Sequence, residues 1–370
     1  MADHAPLLLF CLSFHSFIMK VKFSLFQLFL LLSVSAWYSC TEKDCCVPPP
    51  GNQDYSKGVF IVNEGPFGGT GTISWYDPNT GEVQDSIFEK SNNGASLGQF
   101  VQSLTFYNGK GYIVVNGTNK VVVVNASTFE YIDTIGNLQQ PRYFLPISPN
   151  AAYVSQWGTD GLTGSVAKVN LNTFDIEKAI PTGKGPEKMV LVNTKVYVAN
   201  SGGYGLDSTI TVIQTSDDQA QTTPVPAGKN PASLLWYEKG ADSKLFYLCK
   251  GYFLDAIPEG RLNYFSNTGF GAATPAYSDD LVFDPNTELA YFFGNSGVYK
   301  MAQSGPDFSF IYIFGQNIYS LALDADAGLF YCADAKDFSS NGEIFVRRLD
   351  GSSFHQFRSG VAPGEIVIVK

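Results

Sequence analysis

Between Gly183 and Gln214 the chain alternates short apolar runs with clusters of turn formers, reading GKGPEKMVLVNTKVYVANSGGYGLDSTITVIQ. Met189 to Val192 is a brief apolar run, Asn193-Thr194 a tight turn, and Lys195 to Asn200 an alternating run. A Gly-rich loop and a third run, Thr209 to Ile213, follow. β-Branched and aromatic residues fill the runs and turn formers fill the breaks, which predicts antiparallel hairpins. Such hairpins bury their apolar faces only against further sheet, so recurrence of the unit decides the fold.

The unit recurs. An apolar residue near the end of the second strand appears as Phe60, Tyr112, Tyr153, Tyr197, Tyr247, Tyr291 and Tyr331, at separations of 52, 41, 44, 50, 44 and 40 residues. Inner strands of shared grammar precede the later copies: QFVQSLTF from Gln99, QPRYFLPI from Gln140, GPEKMVLV from Gly185, NPASLLWY from Asn230 and QNIYSLAL from Gln316. YSDDLVFD from Tyr277 is a weaker copy. Four short strands every 40 to 50 residues is the repeat of a β-propeller. The first unit opens on its second strand, Gly58 to Asn63, and the chain ends on an orphan inner strand, APGEIVIVK, from Ala362. The expectation is therefore an all-β, seven-bladed β-propeller over residues 57–370. The C-terminal strand closes it by pairing with the N-terminal hairpins, which leaves no open edge at the junction.

The N-terminus follows different rules. From Met19 the chain reads MKVKFSLFQLFLLLSVSAWYSC: two lysines, an apolar run from Phe23 to Ala36 and a small residue before Cys40. These are signal-peptide proportions, too short for a spanning helix. Residues 1–39 are thus expected to be a signal peptide whose true start is Met19. Tyr38-Ser39-Cys40 resembles a bacterial lipoprotein box, which implies cleavage before Cys40 and its acylation. Thr41-Glu42-Lys43-Asp44 resembles the acidic flank that sends lipoproteins of gut Bacteroidetes to the outer face of the outer membrane. Residues 40–56 then form the lipidated cysteine and a flexible, Pro- and Gly-bearing tether.

Charge and candidate chemistry narrow the function. A formal charge of −10 and a pI near 4.8 argue against nucleic acid and against polybasic attachment to anionic lipid, since either needs a basic face. Cys249 and Cys332 fall in second strands of different blades and read as buried free thiols. No Cys or His spacing fits zinc. After processing only His355 remains, in an outer strand, so no Ser-His or Cys-His pair is available. DADAG from Asp324 reads as a turn. No catalytic residue, metal or cofactor is expected, and the chain reads as a binding protein rather than an enzyme.

Loop lengths say where binding occurs. Inner-to-second turns are terse, whereas the opposite loops are long and aromatic: NEGPFGGTG from Asn63, SQWGTDGLTG from Ser155, NSGGYGLDS from Asn200, CKGYFLDAIPEG from Cys249 and ADAKDFSSNG from Ala333. Long loops on a rigid scaffold mark the binding end. Beyond the repeat aromatics lie Asn63, Asn116, Gln156, Asn200, Lys250 and Asp334. At the mouth of the inner strands, two beyond the Pro position, lie Gln102, Tyr143, Lys188, Ser233, Asp280, Tyr319 and Glu365. Phe67, Trp157, Tyr204, Tyr252, Phe253 and Phe338 stand above them. Amides and aromatics in rings suit a large, amide-bearing or polyhydroxylated ligand.

With GPEKMVLVNTKVYVAN and STITVIQ as its best copy, the repeat is similar to the YncE-like seven-bladed propellers over Lys57 to Lys370. Joined to a Bacteroidetes-type lipoprotein leader, it resembles the BtuG-type surface lipoproteins. That resemblance implies capture of cobalamin and related corrinoids at the cell surface and hand-over to an outer-membrane TonB-dependent transporter. Arg142, Lys188 or Lys250 would then meet the nucleotide-loop phosphate. Two alternatives stay open. One is a glycan-binding surface lipoprotein with Trp157 and Tyr252 as platforms. The other is a metal-dependent, lactonase-like propeller enzyme drawing on Glu64, Glu187, Asp279, Asp280 and Glu365.

Overall fold

The computed structural model describes residues 53–370 except 239, 241–242, 253, 256–259, 266–271, 275–279, 295–296, 305–306 and 316. The leader, Cys40 and most of the tether lie outside the described residues, as do Phe253 and Asp279. Among the described residues no helix is long and apolar enough to cross a membrane.

The chain is an all-β β-propeller. Among the described residues its strands form seven four-stranded antiparallel sheets, one carrying an extra short strand, and no sheet closes on itself. From the inside outward, the second sheet runs Val101–Tyr107, Lys110–Val115, Lys120–Asn125 and Tyr131–Ile135. The others follow the same plan. Inner strands begin at Pro141, Pro186, Pro231, Leu281 and Ser320 in the third to seventh sheets. The first sheet is built from both ends of the chain. Its inner strand is Pro363–Val369, and Gly58–Asn63, Thr72–Tyr76 and Val83–Gln84 follow outward. Phe60 lies opposite Val367, and Gly58 opposite Val369. The C-terminal strand also packs beside the inner strands that start at Val101 and Ser320. Lys370 fastens the end further: its ammonium bonds Asp324 Oδ1 at 2.6 Å and also meets Asp326, so the DADAG turn is a clamp for the C-terminus.

Local chemistry explains the hairpins. Asn108 and Gly109 both have positive φ, 48° and 70°, and join Tyr107 to Lys110, which face each other. That two-residue turn matches the right-handed twist of the strands it connects. The repeat aromatics are the core between neighbouring sheets: Phe60, Tyr112, Tyr153, Tyr247, Tyr291 and Tyr331 are at most 3% exposed. Tyr112 stacks on Phe144 of the next sheet at 4.2 Å, and Tyr291 meets Phe330 edge-on at 5.0 Å. Tyr197 departs from the pattern and is only half-buried against its neighbours. Cys249 and Cys332 are both buried. His355 lies in the outer strand Ser353–Val361 and stacks on Tyr76 at 5.7 Å.

Candidate ligand-binding mouth

One local device repeats around the central opening. Directly before five inner strands stands a residue in the left-handed region: Phe100, Gln140, Gly185, Asn230 and Ala362, with φ between 51° and 57°. A strand-opening residue follows, then a β-bulge. The register shifts between Val101 and Ser103, Pro141 and Phe144, Pro186 and Met189, Pro231 and Ser233, and opposite Pro363 to Glu365. A bulge frees one residue from the pairing and re-aims its side chain. The residues freed here are Gln102, Arg142 with Tyr143, Glu187 with Lys188, Ala232 and Gly364.

All but Lys188 line the mouth, a cavity of about 60 Å³ completed by Glu64, Lys250, Asp280 and Tyr319. The sequence placed the mouth two residues beyond the Pro position; the bulge also brings the residue directly after the Pro position to it, as Arg142, Glu187, Ala232 and Gly364. Of that expected ring, Gln102, Tyr143, Asp280 and Tyr319 do line the mouth. Ser233 is 1% exposed and buried. Lys188 and Glu365 line a second cavity of about 370 Å³ on the far side, between inner strands at Leu281, Leu321 and Ile366, with Asp280 shared between the two.

A belt of paired charges separates the cavities. Arg142 Nε donates to Glu187 at 3.1 Å, its Nη1 reaches Gln102, and its guanidinium lies 4.5 Å over the Trp157 ring. Burial works against the Arg142 charge, but Glu187, with Tyr143 and Glu64, outweighs it and holds the guanidinium protonated. Lys188 pairs with Asp280, whose other oxygen accepts the Leu321 N–H at 2.9 Å. Tyr319 donates to Glu64 at 3.0 Å. Glu365 accepts the Leu104 N–H at 2.8 Å. Burial pushes its carboxyl up to about 7, with Asp280 adding to the rise and Lys188 and the Leu104 N–H opposing it. Tyr143 is raised well above the ordinary phenol, by burial first and then by Glu187. Each carboxylate has its own partner, and among the described residues no three His, Cys, Asp or Glu side chains gather as a metal site. Arg142 and Lys188, expected to meet a phosphate, are committed to Glu187 and Asp280 instead.

The outer ring divides. Asn63 and Asn200 are fully buried and donate to hydroxyls of their own third strands: Ser74 at 2.9 Å for Asn63, Thr209 at 2.9 Å for Asn200. Gln156 is 6% exposed, donating to Ser165 and accepting from the Gln139 N–H. Asn116 bonds the Pro141 carbonyl at 3.1 Å, and Asp334 accepts from Asn317 and the Lys336 N–H. These five fasten loops to sheets, because a strand end deprived of water needs internal partners. Only Lys250 of that ring reaches the mouth.

The aromatics stay outside. Phe67 is 95% exposed, Tyr204 68% and Phe338 49%. Tyr204 is held upright by its hydroxyl on Gln140 at 3.0 Å and by its N–H on the Gly161 carbonyl at 3.1 Å. Two glycines permit that approach: a Cβ on Gly203 would sit 2.0 Å from the Gly161 oxygen, and one on Gly185 1.9 Å from the Gly203 nitrogen. Trp157 is packed between Arg142 and the edge of Tyr204, 5.5 Å away, so its ring is no open platform. Tyr252 is half-buried. Gln140 escaped the sequence reading, although it opens the QPRYFLPI strand.

Residues 57–229 match a domain of unknown function, DUF5074, a span that ends just before the inner strand at Pro231. No curated protein matches the chain. Several solved structures share its fold. A quinonprotein alcohol dehydrogenase-like protein from Bacteroides thetaiotaomicron superposes with a TM-score of 0.60 at 16% identity, over 86% of this chain and 80% of that one. The periplasmic gluconolactonase of Pseudomonas aeruginosa gives 0.61 at 12% identity, over 85% and 99%. A functionally unknown protein from Desulfotomaculum acetoxidans gives 0.61 at 13%, over 84% and 98%. At these identities the likeness is one of fold alone, a β-propeller, and fold does not fix function.

Proposed function

We propose that the protein is a surface lipoprotein that captures cobalamin or a related corrinoid on the rim of its propeller and passes it to an outer-membrane TonB-dependent transporter. In this reading the seven sheets are blades of one closed ring, residues 1–39 are the signal peptide starting at Met19, and Cys40 carries the lipid. The observation that carries binding rather than catalysis is the contrast between rim and mouth. Phe67, Tyr204 and Phe338 stand exposed around an opening of about 60 Å³ whose charges are already paired. A bulky ligand is excluded from so narrow a mouth and has to lie across it. A broad disc edged with amides meets aromatic rings on its face and Gln102, Gln140 and Lys250 at its edge. The glycine-locked Tyr204 loop keeps the ordering cost low.

Titration calorimetry with cyanocobalamin tests the reading. Stoichiometric binding is expected, weakened about 30-fold in Phe67→Ala or Tyr204→Ala at unchanged melting temperature, the loss of about 2 kcal/mol typical of a central aromatic contact. No heat at micromolar protein, or binding indifferent to both substitutions, refutes it.

A further inference from the structure

A third concavity lies on the flank of the second sheet, and shares no lining residue with the mouth. Its volume is about 680 Å³, within the range of small-molecule sites. One wall is the short helix Ile87–Ser91 with the loop after it, and the other is the third and outer strands of the second sheet.

Lys120, the first residue of that third strand, lines this groove. Among the described residues its ammonium makes no hydrogen bond or ion pair, although it is half-buried, and burial draws its pKa below the ordinary lysine value. The arrangement is unusual beside Lys188, which pairs with Asp280, because a partly desolvated cation without a counter-charge is costly. Glu130 lines the same groove, but its Oε2 accepts the Thr128 hydroxyl at 2.9 Å and it forms no pair with Lys120.

Ser91, Ser96 and Thr134 bring hydroxyls to the lining and Asn92 and Asn93 bring amides; the Thr134 hydroxyl lies 3.2 Å from that of Tyr131, which is 51% exposed. Phe88 and Val122 add apolar surface. The wall is stiff: the Asn92 amide donates to the Phe88 and Phe129 carbonyls at 2.7 and 2.9 Å, while its oxygen accepts the Tyr131 N–H at 2.7 Å. Helix, loop and outer strand are thereby tied into one unit.

We propose that this groove is a binding site for a carboxylated sugar, a uronic acid or an equivalent acidic polyol. Lys120 receives the carboxylate, the serine and threonine hydroxyls exchange hydrogen bonds with the polyol, and the Tyr131 ring covers the C–H face of the pyranose. One or two sugar rings fit the volume.

Calorimetry of the full-length protein with sodium glucuronate, glucose and inorganic phosphate at constant ionic strength decides the matter. Saturable binding of glucuronate is expected, at least about tenfold tighter than either glucose or phosphate, since a charge-assisted bond is worth upward of 1.4 kcal/mol. Lys120→Met should lose that preference, Tyr131→Ala should weaken glucuronate binding, and Tyr204→Ala should leave it unchanged. Lys120→Gln serves should the methionine variant fold poorly. Equal affinity for glucose, equal affinity for phosphate, insensitivity to both Lys120 substitutions, or no heat up to about 10 mM glucuronate overturns the proposal.

Discussion

Glu365→Gln isolates the electrostatics of the charged belt between the two cavities. The side chain sits on the C-terminal strand, faces Lys188 and Asp280 across the second cavity, and accepts the Leu104 N–H at 2.8 Å. Its carboxyl titrates near 7 in the folded protein against an ordinary 4.5. The folded state therefore holds a proton that the unfolded chain has released throughout this window, so stability falls as pH rises from about 4.5 to about 7 and is flat above. At about 1.36 kcal/mol per pH unit, the loss from this one group approaches about 3 kcal/mol. Glutamine has the same shape, keeps an acceptor for the Leu104 N–H and carries no proton to lose. The variant should match the parent below pH 4.5 and exceed it at pH 8 by up to about 3 kcal/mol. For a chain of this length that is roughly 4–6 °C in melting temperature. Thermal melts followed by circular dichroism between pH 4.5 and 8 measure the difference. Parallel curves, or a variant less stable than the parent at pH 8, would refute the account, because either requires a Glu365 that ionises without penalty.

Three further outcomes follow from the same geometry. Arg142→Met strands the 5%-exposed Glu187 carboxylate and should cost about 3–5 kcal/mol in denaturant melts, with most of it regained in Arg142→Met/Glu187→Gln; equal stability of single and double variants would contradict the pairing. Truncation after Ala362 removes the strand paired with Gly58–Asn63 and bares an apolar edge, so the product should aggregate on size exclusion, whereas a monomer that melts like the parent would show that the strand is dispensable. Gly203→Ala places a Cβ against the Gly161 carbonyl at a φ of 58°, and should displace Tyr204 and weaken rim binding while costing about 1–3 kcal/mol; unchanged affinity would separate the loop from recognition.

The repeat was legible because it is local. β-Branched runs, Asn-Gly turns and an aromatic every 40 to 50 residues report strands and core positions from neighbours in sequence, and six of seven repeat aromatics are buried as the pattern requires. Loop length likewise marked the end that carries Phe67, Tyr204 and Phe338. Tertiary structure decided what those strands present. The bulges bring Arg142, Glu187, Ala232 and Gly364 to the mouth, and nothing in QPRYFLPI shows that Arg142 joins Tyr143 there before the strand is paired. Charge partners lie farther still: Lys188 meets Asp280 92 residues on, Tyr319 reaches back 255 to Glu64, and Leu104 finds Glu365 261 away. Asn63, Gln156 and Asn200 are polar residues at loop starts, which reads as a ligand ring in sequence. Only the packing of each loop onto its own sheet turns their amides inward, since buried strand ends must find hydrogen bonds within the protein when water is excluded.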